Sequence, residues 1–421
     1  MTGRTASLWR HADFLKLWAA QSVSGFGARA AREGLPMTAV VLLKAPPEAM
    51  GSLAALGLGA WAVVGLAAGA LADRLPKRGL LVGADLGRAL VMLVIPAIAL
   101  WGRLTVVEIG LAMAAMSALT VVFDVADHAY LPSLIGRGQL TDGNARLAAT
   151  DALAEVGGPA IAGVLFQWLT APLAVALSAV TYLASAACLL AIASRPEPAA
   201  GSGPASAPRA GADPLAGFRI VLSHPVVRPI WLMAVLGDFF GWFFGALYIL
   251  YALVVLKLST TELGLTIAAG GVGGLIGAMT AAAFTRRLGA GRALVVAAFL
   301  GGLVLLAIPL AHGAPLLAMA FLVAAQLAGD ALRTVMQIGQ VTLRQTLLAS
   351  EALGRAAGVF AAGQGLAGVA GALIGGALGA WLGPRETLLL AAAGMIATPL
   401  IGLASPLWRA TGETAAPQTP R

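Results

Sequence analysis

The stretch GALADRLPKR, residues Gly69–Arg78, decides the fold. An apolar run from about 53 to 71 leads into it, and a second apolar run begins at Gly79. Between the runs stand one acid and three bases: Asp73, Arg74, Lys77 and Arg78. A chain that leaves one apolar helix, turns over such a segment and enters another is making a short cytosolic loop between two membrane spans. The bases belong in water or at lipid headgroups. Asp73, at a helix end, suits a base or the positive N-terminus of another helix.

Composition extends this reading to the whole chain. Of 421 residues, 59% are hydrophobic and only 11% are charged, and the mean hydropathy is +0.88. Soluble proteins carry about twice that charge fraction. A span needs roughly 20 apolar residues, so the length holds about a dozen spans with short loops. The 53 glycines suit helices that must approach closely, because burial from water does not drive their association in lipid. The net charge of +8 is no signal for nucleic acid: the bases fall in loops, without a basic stripe interleaved with aromatics. One cysteine, Cys188, excludes an intrachain disulfide, and the four histidines form no set with metal-ligand spacing. No cofactor and no metal site is expected.

Taken in order, the chain predicts a basic N-terminal arm and spans at about 14–43, 51–72, 80–101, 104–131, 144–168 and 172–193. The segment 194–213 is rich in Pro, Ala, Gly and Ser and reads as a flexible cytosolic linker. Residues 215–223 suit a short amphipathic helix on the membrane surface. Six more spans are predicted at about 227–256, 264–284, 293–311, 316–343, 356–381 and 387–407. The domain plan is therefore an N-terminal six-helix bundle (1–193), a linker (194–223), and a C-terminal six-helix bundle with its tail (224–421). About 18 Lys and Arg lie on the side that holds both termini, against Lys44, Arg103, Lys257 and Arg385 on the other, so both termini are expected in the cytosol.

The halves repeat. Gly158 in GPAIAG maps to Gly371 in GALIGG (371 − 158 = 213), and Leu140 maps to Leu353, again 213. Asp73-Arg74 maps to Thr285-Arg286, an offset of 212, so the second loop keeps its bases and loses its acid. Two six-span halves of this kind place a substrate path between them. The fold class is an all-α membrane protein of twelve transmembrane helices in two pseudo-symmetric six-helix bundles.

Several motifs resemble one family. Gly69, Asp73, Arg74 and Arg78 match the loop Gly-x-x-x-Asp-Arg-x-Gly-Arg-Arg/Lys of the major facilitator superfamily, with Pro76 in place of the usual glycine and Lys77 in place of an arginine. Gly158, Pro159 and Gly163 partly match the Gly-Pro-x-x-Gly-Gly of its antiporters, Ala162 replacing a glycine. A bend is expected there. Leu131, Pro132, Gly143, Asn144, Gly158 and Pro159 follow the order found in the branch with enterobactin exporters and macrolide efflux pumps. The resemblance implies the major facilitator fold and export by exchange.

Charges inside spans are costly and face a partner or a wet cavity. Arg29 and Glu33, at i,i+4, are expected to pair; Arg32 then leaves span 1 with net positive charge, which suits an anionic substrate or a carboxylate on another helix. Asp330 and Arg333, at i,i+3, are expected to form a second pair. Asp238 has no base within a turn of its own helix. Glu33, Asp238 and Asp330 are the proton-coupling candidates, and Arg29, Arg32 and Arg333 join them as candidate binding residues. Asp124, Asp127 and His128 share one face of span 4 and are expected to meet Arg74, Lys77, Arg88 or Arg137. With Gly69, Asp73, Arg78 and Asp85 they would form a cytosolic gate; Asp151 and Glu155 could join it. The aromatics Phe239, Phe240, Trp242, Phe243, Phe244, Tyr248 and Tyr251 could line a pocket or face lipid. No phosphate-binding loop and no hydrolase signature is present, so no enzyme is expected.

Together these features predict a monomeric secondary transporter in a bacterial cytoplasmic membrane, with a small amphipathic molecule as substrate and protons as the coupling ion. A lipid or lysolipid flippase on the same fold is the nearest alternative, and a non-transporting receptor or scaffold is the alternative from another class.

Overall fold

The computed structural model describes residues 8–135, 139–193 and 216–410, and only the backbone of Leu66, Gly69, Ala70, Ala72, Asp73 and Arg74. Arg137, the linker stretch 194–215 and the segments 1–7 and 411–421 lie outside the described residues, as do the side chains of Asp73 and Arg74.

The elements are α1 (Ala12–Val41), α2 (Pro47–Arg74), α3 (Lys77–Leu100), α4 (Val106–Leu134), α5 (Leu140–Trp168), α6 (Ala171–Leu190), α7 (Ala216–Ser223) and α8 (Val227–Leu250). A π-helical turn, Tyr251–Val255, extends α8. Then come α9 (Thr260–Leu288), α10 (Ala290–Leu305), α11 (Ala307–Leu310), α12 (Pro315–Leu347), α13 (Ser350–Leu382), α14 (Pro384–Ala397) and α15 (Leu400–Leu403). Among the described residues eleven helical spans are long and apolar enough to cross a membrane. Helix α1, 30 residues long, is the twelfth; Arg29, Arg32 and Glu33 lower its hydropathy.

Local chemistry sets the ends. Thr105 and Glu108 form a reciprocal capping box before α4. Ser259 and Glu262 repeat it before α9, with Glu262 Oε2 accepting from the Ser259 N–H at 2.7 Å. Two predicted spans are interrupted. Pro309 has no N–H for the carbonyl of Leu305, and the helix breaks between α10 and α11. Pro399 does the same between α14 and α15. Helix α5, by contrast, runs unbroken through Pro159.

The described helices pack as two compact units. Unit 1 is Met1–Ala45, Leu56–Ala205 and Ser259–Ala268; unit 2 is Pro46–Ala55, Ser206–Leu258 and Ala269–Arg421. In unit 1, α1 packs on α5 and α6, and α3 packs on α4 and α6. In unit 2 the same plan recurs: α8 on α13 and α14, α10 on α12 and α14. The core of unit 1 includes Phe14, Leu17, Leu81, Phe123 and Leu189. That of unit 2 includes Val227, Ile230, Met233, Leu294 and Phe360.

The 213-residue repeat is visible in the backbone. Lys44 (φ 51°) and Lys257 (φ 55°) are the non-glycine residues with positive φ among the described residues, and 257 − 44 = 213. A Cβ on Gly158 would collide with Cβ of Arg29, so its absence lets α5 touch α1. A Cβ on Gly371 would collide with the Phe239 carbonyl, where α13 meets α8. Small residues here allow close helix approach in each unit.

Helix α7 forms where the short amphipathic helix is expected. Its Gly217 and Val221 are buried, and Gly217 lies against Val359 and the Arg355 carbonyl of α13. Phe218 and Leu222, 37% and 41% exposed, leave part of its apolar surface open. Just beyond it, His224 Nδ1 accepts the N–H groups of Val226 and Val227, both at 3.2 Å, at the start of α8.

This packing can be tested by melting. Gly158→Ala and Gly371→Ala should each lower the thermal midpoint in detergent by several degrees, whereas Gly354→Ala, with open space around its Cα, should leave it unchanged or raised. Burial lowers the His224 pKa below its ordinary value, which favours the neutral ring that accepts those bonds. Its stabilisation is complete above the unfolded pKa of about 6.5 and declines as pH falls below it. Melting curves at pH 7.5 and 5.5 should show a smaller acid shift for His224→Asn, which keeps a neutral acceptor, than for the parent chain.

Candidate functional site

In unit 1 five charged side chains of α1 and α5 meet at one seam between these helices. Arg29 Nη2 meets Asp151 Oδ1 at 2.8 Å, and Arg29 Nε donates to Glu155. Arg32 Nη2 meets the other oxygen of Glu155 at 2.8 Å, and Arg32 Nε meets Glu33 at 2.9 Å. The expected Arg29–Glu33 pair is replaced by these contacts. Gly158 brings the two helices together at Arg29, so its guanidinium reaches α5 before it can fold back along α1. Two guanidiniums are thus answered by three carboxylates. The positive charge that Arg29 and Arg32 leave on α1 is met by carboxylates on another helix, α5, one of the two outcomes expected for it.

These side chains are not sealed in. Asp151 is 62% exposed and Arg32 50% exposed, although both lie on helices that cross the membrane. A charge facing acyl chains at mid-depth costs about 3 kcal/mol or more, so reachable charges at this depth face water or partners.

Helix α4 adds to the same unit. Gln21 of α1 donates to Asp127 Oδ1, and His128 Nδ1 lies 2.6 Å from the Asp124 carbonyl. Asp124 interacts electrostatically with Arg88, His128, Arg29 and Asp151. Of its expected partners, Arg88 does act on it. Arg74 and Arg137 fall outside the described side chains.

Two expected gate residues sit elsewhere. Asp85 and Arg88 pair with each other at 2.5 Å and are buried inside unit 1. Ser24 donates to Asp85 Oδ1 at 3.1 Å, and the Arg88 guanidinium stacks over Phe123 and Tyr182 at 4.3 Å and 4.8 Å. Their i,i+3 spacing on α3 turns both into the bundle rather than toward a loop. Arg78, the last base of the opening stretch, donates to the carbonyls of Leu189 (2.9 Å) and Leu190 (2.5 Å). Lys16 donates to the Ala191 carbonyl at 2.7 Å. Both cations therefore cap the negative C-terminal end of α6.

Of the antiporter-like residues, Gly158 serves the α1 contact. Gly163 lies against Gly264, and its carbonyl accepts from Thr260 Oγ1 at 3.0 Å, all within unit 1. Pro159 is buried in the continuous α5.

Unit 2 carries the counterpart. Gln364 Nε2 of α13 donates to Asp238 Oδ2 of α8 at 2.8 Å. Gln364 is the repeat position of Asp151 (151 + 213 = 364), so the first and fifth helices of each unit are tied by a polar bridge. Arg333 on α12 acts electrostatically on Asp238. The carboxylate of Asp330 reaches toward α9, where a Cβ on Gly270 would strike it. Among the aromatics, Phe239, Phe240 and Phe243 stack on one another, with centroids 5.0 Å and 5.3 Å from Phe239. Phe240 fills the notch at Gly394 of α14 and Phe243 the notch at Gly375 of α13, so both pack between helices. Among the described residues no group of three His, Cys, Asp or Glu converges as a metal site.

Sequence reasoning missed Gln21 and Gln364, because uncharged amides carry no intramembrane alarm. The repeat offset points to Gln364; nothing local points to Gln21. It also set Asp151 and Glu155 with the gate rather than with Arg29 and Arg32.

Comparison with known proteins agrees with this architecture. Residues 17–339 match the family model described as Major Facilitator Superfamily. No curated protein matches the chain. Among solved structures, the nucleoside transporter NupG superposes with a TM-score of 0.74 at 12% identity, over 93% of this chain and 98% of that one. A bacterial homologue of the iron transporter ferroportin, inward-facing, gives 0.68 at 18% identity, over 95% and 99%. A bacterial homologue of the human lysosomal transporter Spinster, inward-facing and unoccupied, gives 0.69 at 13% identity, over 95% and 98%. At these identities the likeness is one of fold.

The seam makes a measurable prediction. In a double-mutant cycle of Arg29→Met and Glu155→Gln, the two losses of stability should be coupled by about 1 kcal/mol, modest because both groups are partly exposed. The single Arg29→Met variant should be the least stable of the set, because it leaves Asp151 and Glu155 facing each other without their shared cation.

Proposed function

The chain belongs to the Major Facilitator Superfamily, and on that premise we propose that it is a secondary active exporter of a small amphipathic compound, such as a drug or siderophore, driven by proton exchange. The family's members are multi-pass membrane transporters of small molecules, not enzymes. The proposal assigns this chain to the branch with enterobactin exporters and macrolide efflux pumps. It works by alternating access, as a monomer in a bacterial cytoplasmic membrane with both termini in the cytosol.

One observation carries this reading: ionisable side chains at membrane depth that remain reachable, on α1 and α5 of unit 1. A purely structural ion pair has no need of exposure, whereas a transport pathway must present its charges to water. Arg29 and Arg32, held by Asp151, Glu155 and Glu33, are the substrate-facing cations of this pathway. Arg333 is their candidate counterpart in unit 2.

Proton exchange is assigned first to Asp238. Its partner Gln364 donates an N–H to the ionised carboxylate. After an amide flip the same side chain offers a carbonyl oxygen to the protonated acid, so the bridge survives both states. Glu33 is bound to a fixed cation, Arg32, and is a weaker carrier for that reason. Asp330 is retained as the third candidate. Asp73, Arg74, Lys77, Arg78, Asp124, Asp127 and Arg137 are assigned to the cytosolic gate.

The test begins with a growth screen of an efflux-deficient strain against toxic amphipathic compounds. The compound found is then followed into inside-out vesicles under an imposed pH gradient. Gradient-driven accumulation is expected to fall at least tenfold in Asp238→Asn, with substrate counterflow retained. Accumulation driven by sodium, or untouched by the gradient, contradicts proton exchange.

A further inference from the structure

Inside unit 1, away from the exposed seam, four polar atoms on facing turns of α3 and α6 have no hydrogen-bond partner among the described residues: Asp85 Oδ2, Arg88 Nε, Tyr182 Oη and Ser185 Oγ. Their residues are 0%, 2%, 0% and 0% exposed. An unmet buried polar atom costs about 1–3 kcal/mol, and four in one place would cost a large part of a protein's stability. Ser185 is close enough to act on the Asp85 carboxylate, yet the two fall outside hydrogen-bond geometry. Buried polar atoms left unmet by their neighbours are where a bridging water sits.

We propose that this place, at the Asp85–Arg88 pair between α3 and α6, is a binding site for ordered internal water. The donor set selects the ligand. Asp85 Oδ2 only accepts, Arg88 Nε only donates, and the two hydroxyls do either. A bound cation would meet the Arg88 guanidinium, and a bound anion would meet Asp85. A small neutral molecule that both donates and accepts satisfies all four atoms.

The water has a positioning role. Arg88 is fixed by Asp85 through Nη2 and by the rings of Phe123 and Tyr182. Water on Nε completes its contacts and keeps the guanidinium on Asp85. Asp124, on which Arg88 also acts, then stays available to the exposed side of the unit. Tyr182 and Ser185 are positioning residues in this scheme, and the inference stands whether or not the exported compound is the one proposed above.

The sign of a hydroxyl deletion tests it. In the full-length protein, Tyr182→Phe and Ser185→Ala should each lower the thermal midpoint by a few degrees, and the double variant should lose less than the sum, because both remove ligands of one water. A dry site gives the opposite result: Tyr182→Phe deletes an unmet hydroxyl and leaves the midpoint unchanged or raised. A high-resolution map should show density within hydrogen-bond distance of at least three of the four atoms, and Tyr182→Phe should weaken it. Absence of that density overturns the proposal, and so does a midpoint in the parent chain that shifts with sodium or chloride and loses the shift in Ser185→Ala.

Discussion

A charge at membrane depth must be answered by another side chain or by water, and the arrangement of both units depends on this constraint. In unit 1 the answer to Arg29 comes from α5, not from its own helix. Once Asp151 and Glu155 are committed there, Arg32 divides itself between Glu155 and Glu33. The chain of pairs fixes the α1–α5 contact, and the missing Cβ of Gly158 makes that contact short enough to form. Unit 2 solves the same problem with an acid and an amide, Asp238 and Gln364, with Arg333 of α12 acting on the acid from a neighbouring helix. One architecture thus holds two chemically different bridges at equivalent places.

The duplication reaches down to single residues. Lys44 and Lys257 share a left-handed backbone, and Gly158 and Gly371 each allow a close helix approach. Gly163 meets Gly264 within unit 1, and Gly376 meets Gly51 within unit 2, with 264 − 51 = 213 and 376 − 163 = 213. These positions are constrained by backbone geometry and by contact between main chains. They keep their identity while the polar residues around them diverge, because a substitution that adds one carbon would separate the helices.

Most of the helix plan was legible in the sequence. Hydropathy marks a span directly, since its cause is local: about 20 apolar residues to cross the hydrocarbon. The breaks at Pro309 and Pro399 were legible in principle and passed over. Partners across helices were harder to read. Spacing on one helix suggested Arg29 with Glu33, but the distance to α5 depends on a glycine in another span. The burial of Asp85 and Arg88 depends on Ser24, Phe123 and Tyr182 from three other helices, of which only α4 follows α3 directly. Arg78 was read as a loop charge, and it is also a cap on α6, more than a hundred residues away. Wherever the cause of a contact is tertiary, a periodic pattern narrows the choices without choosing.

The central claim is that the exposed charges of α5 face water at membrane depth while their helix neighbours face lipid. Since Cys188 is the single cysteine, a cysteine-free background needs one substitution. In that background Asp151→Cys and Leu153→Cys place a thiol at two exposed positions of the same helix, 62% and 65% exposed. Labelling with a charged, membrane-impermeant thiol reagent should modify the thiol at 151 rapidly and the thiol at 153 hardly at all. Equal protection of both, or faster reaction at 153, would contradict the account.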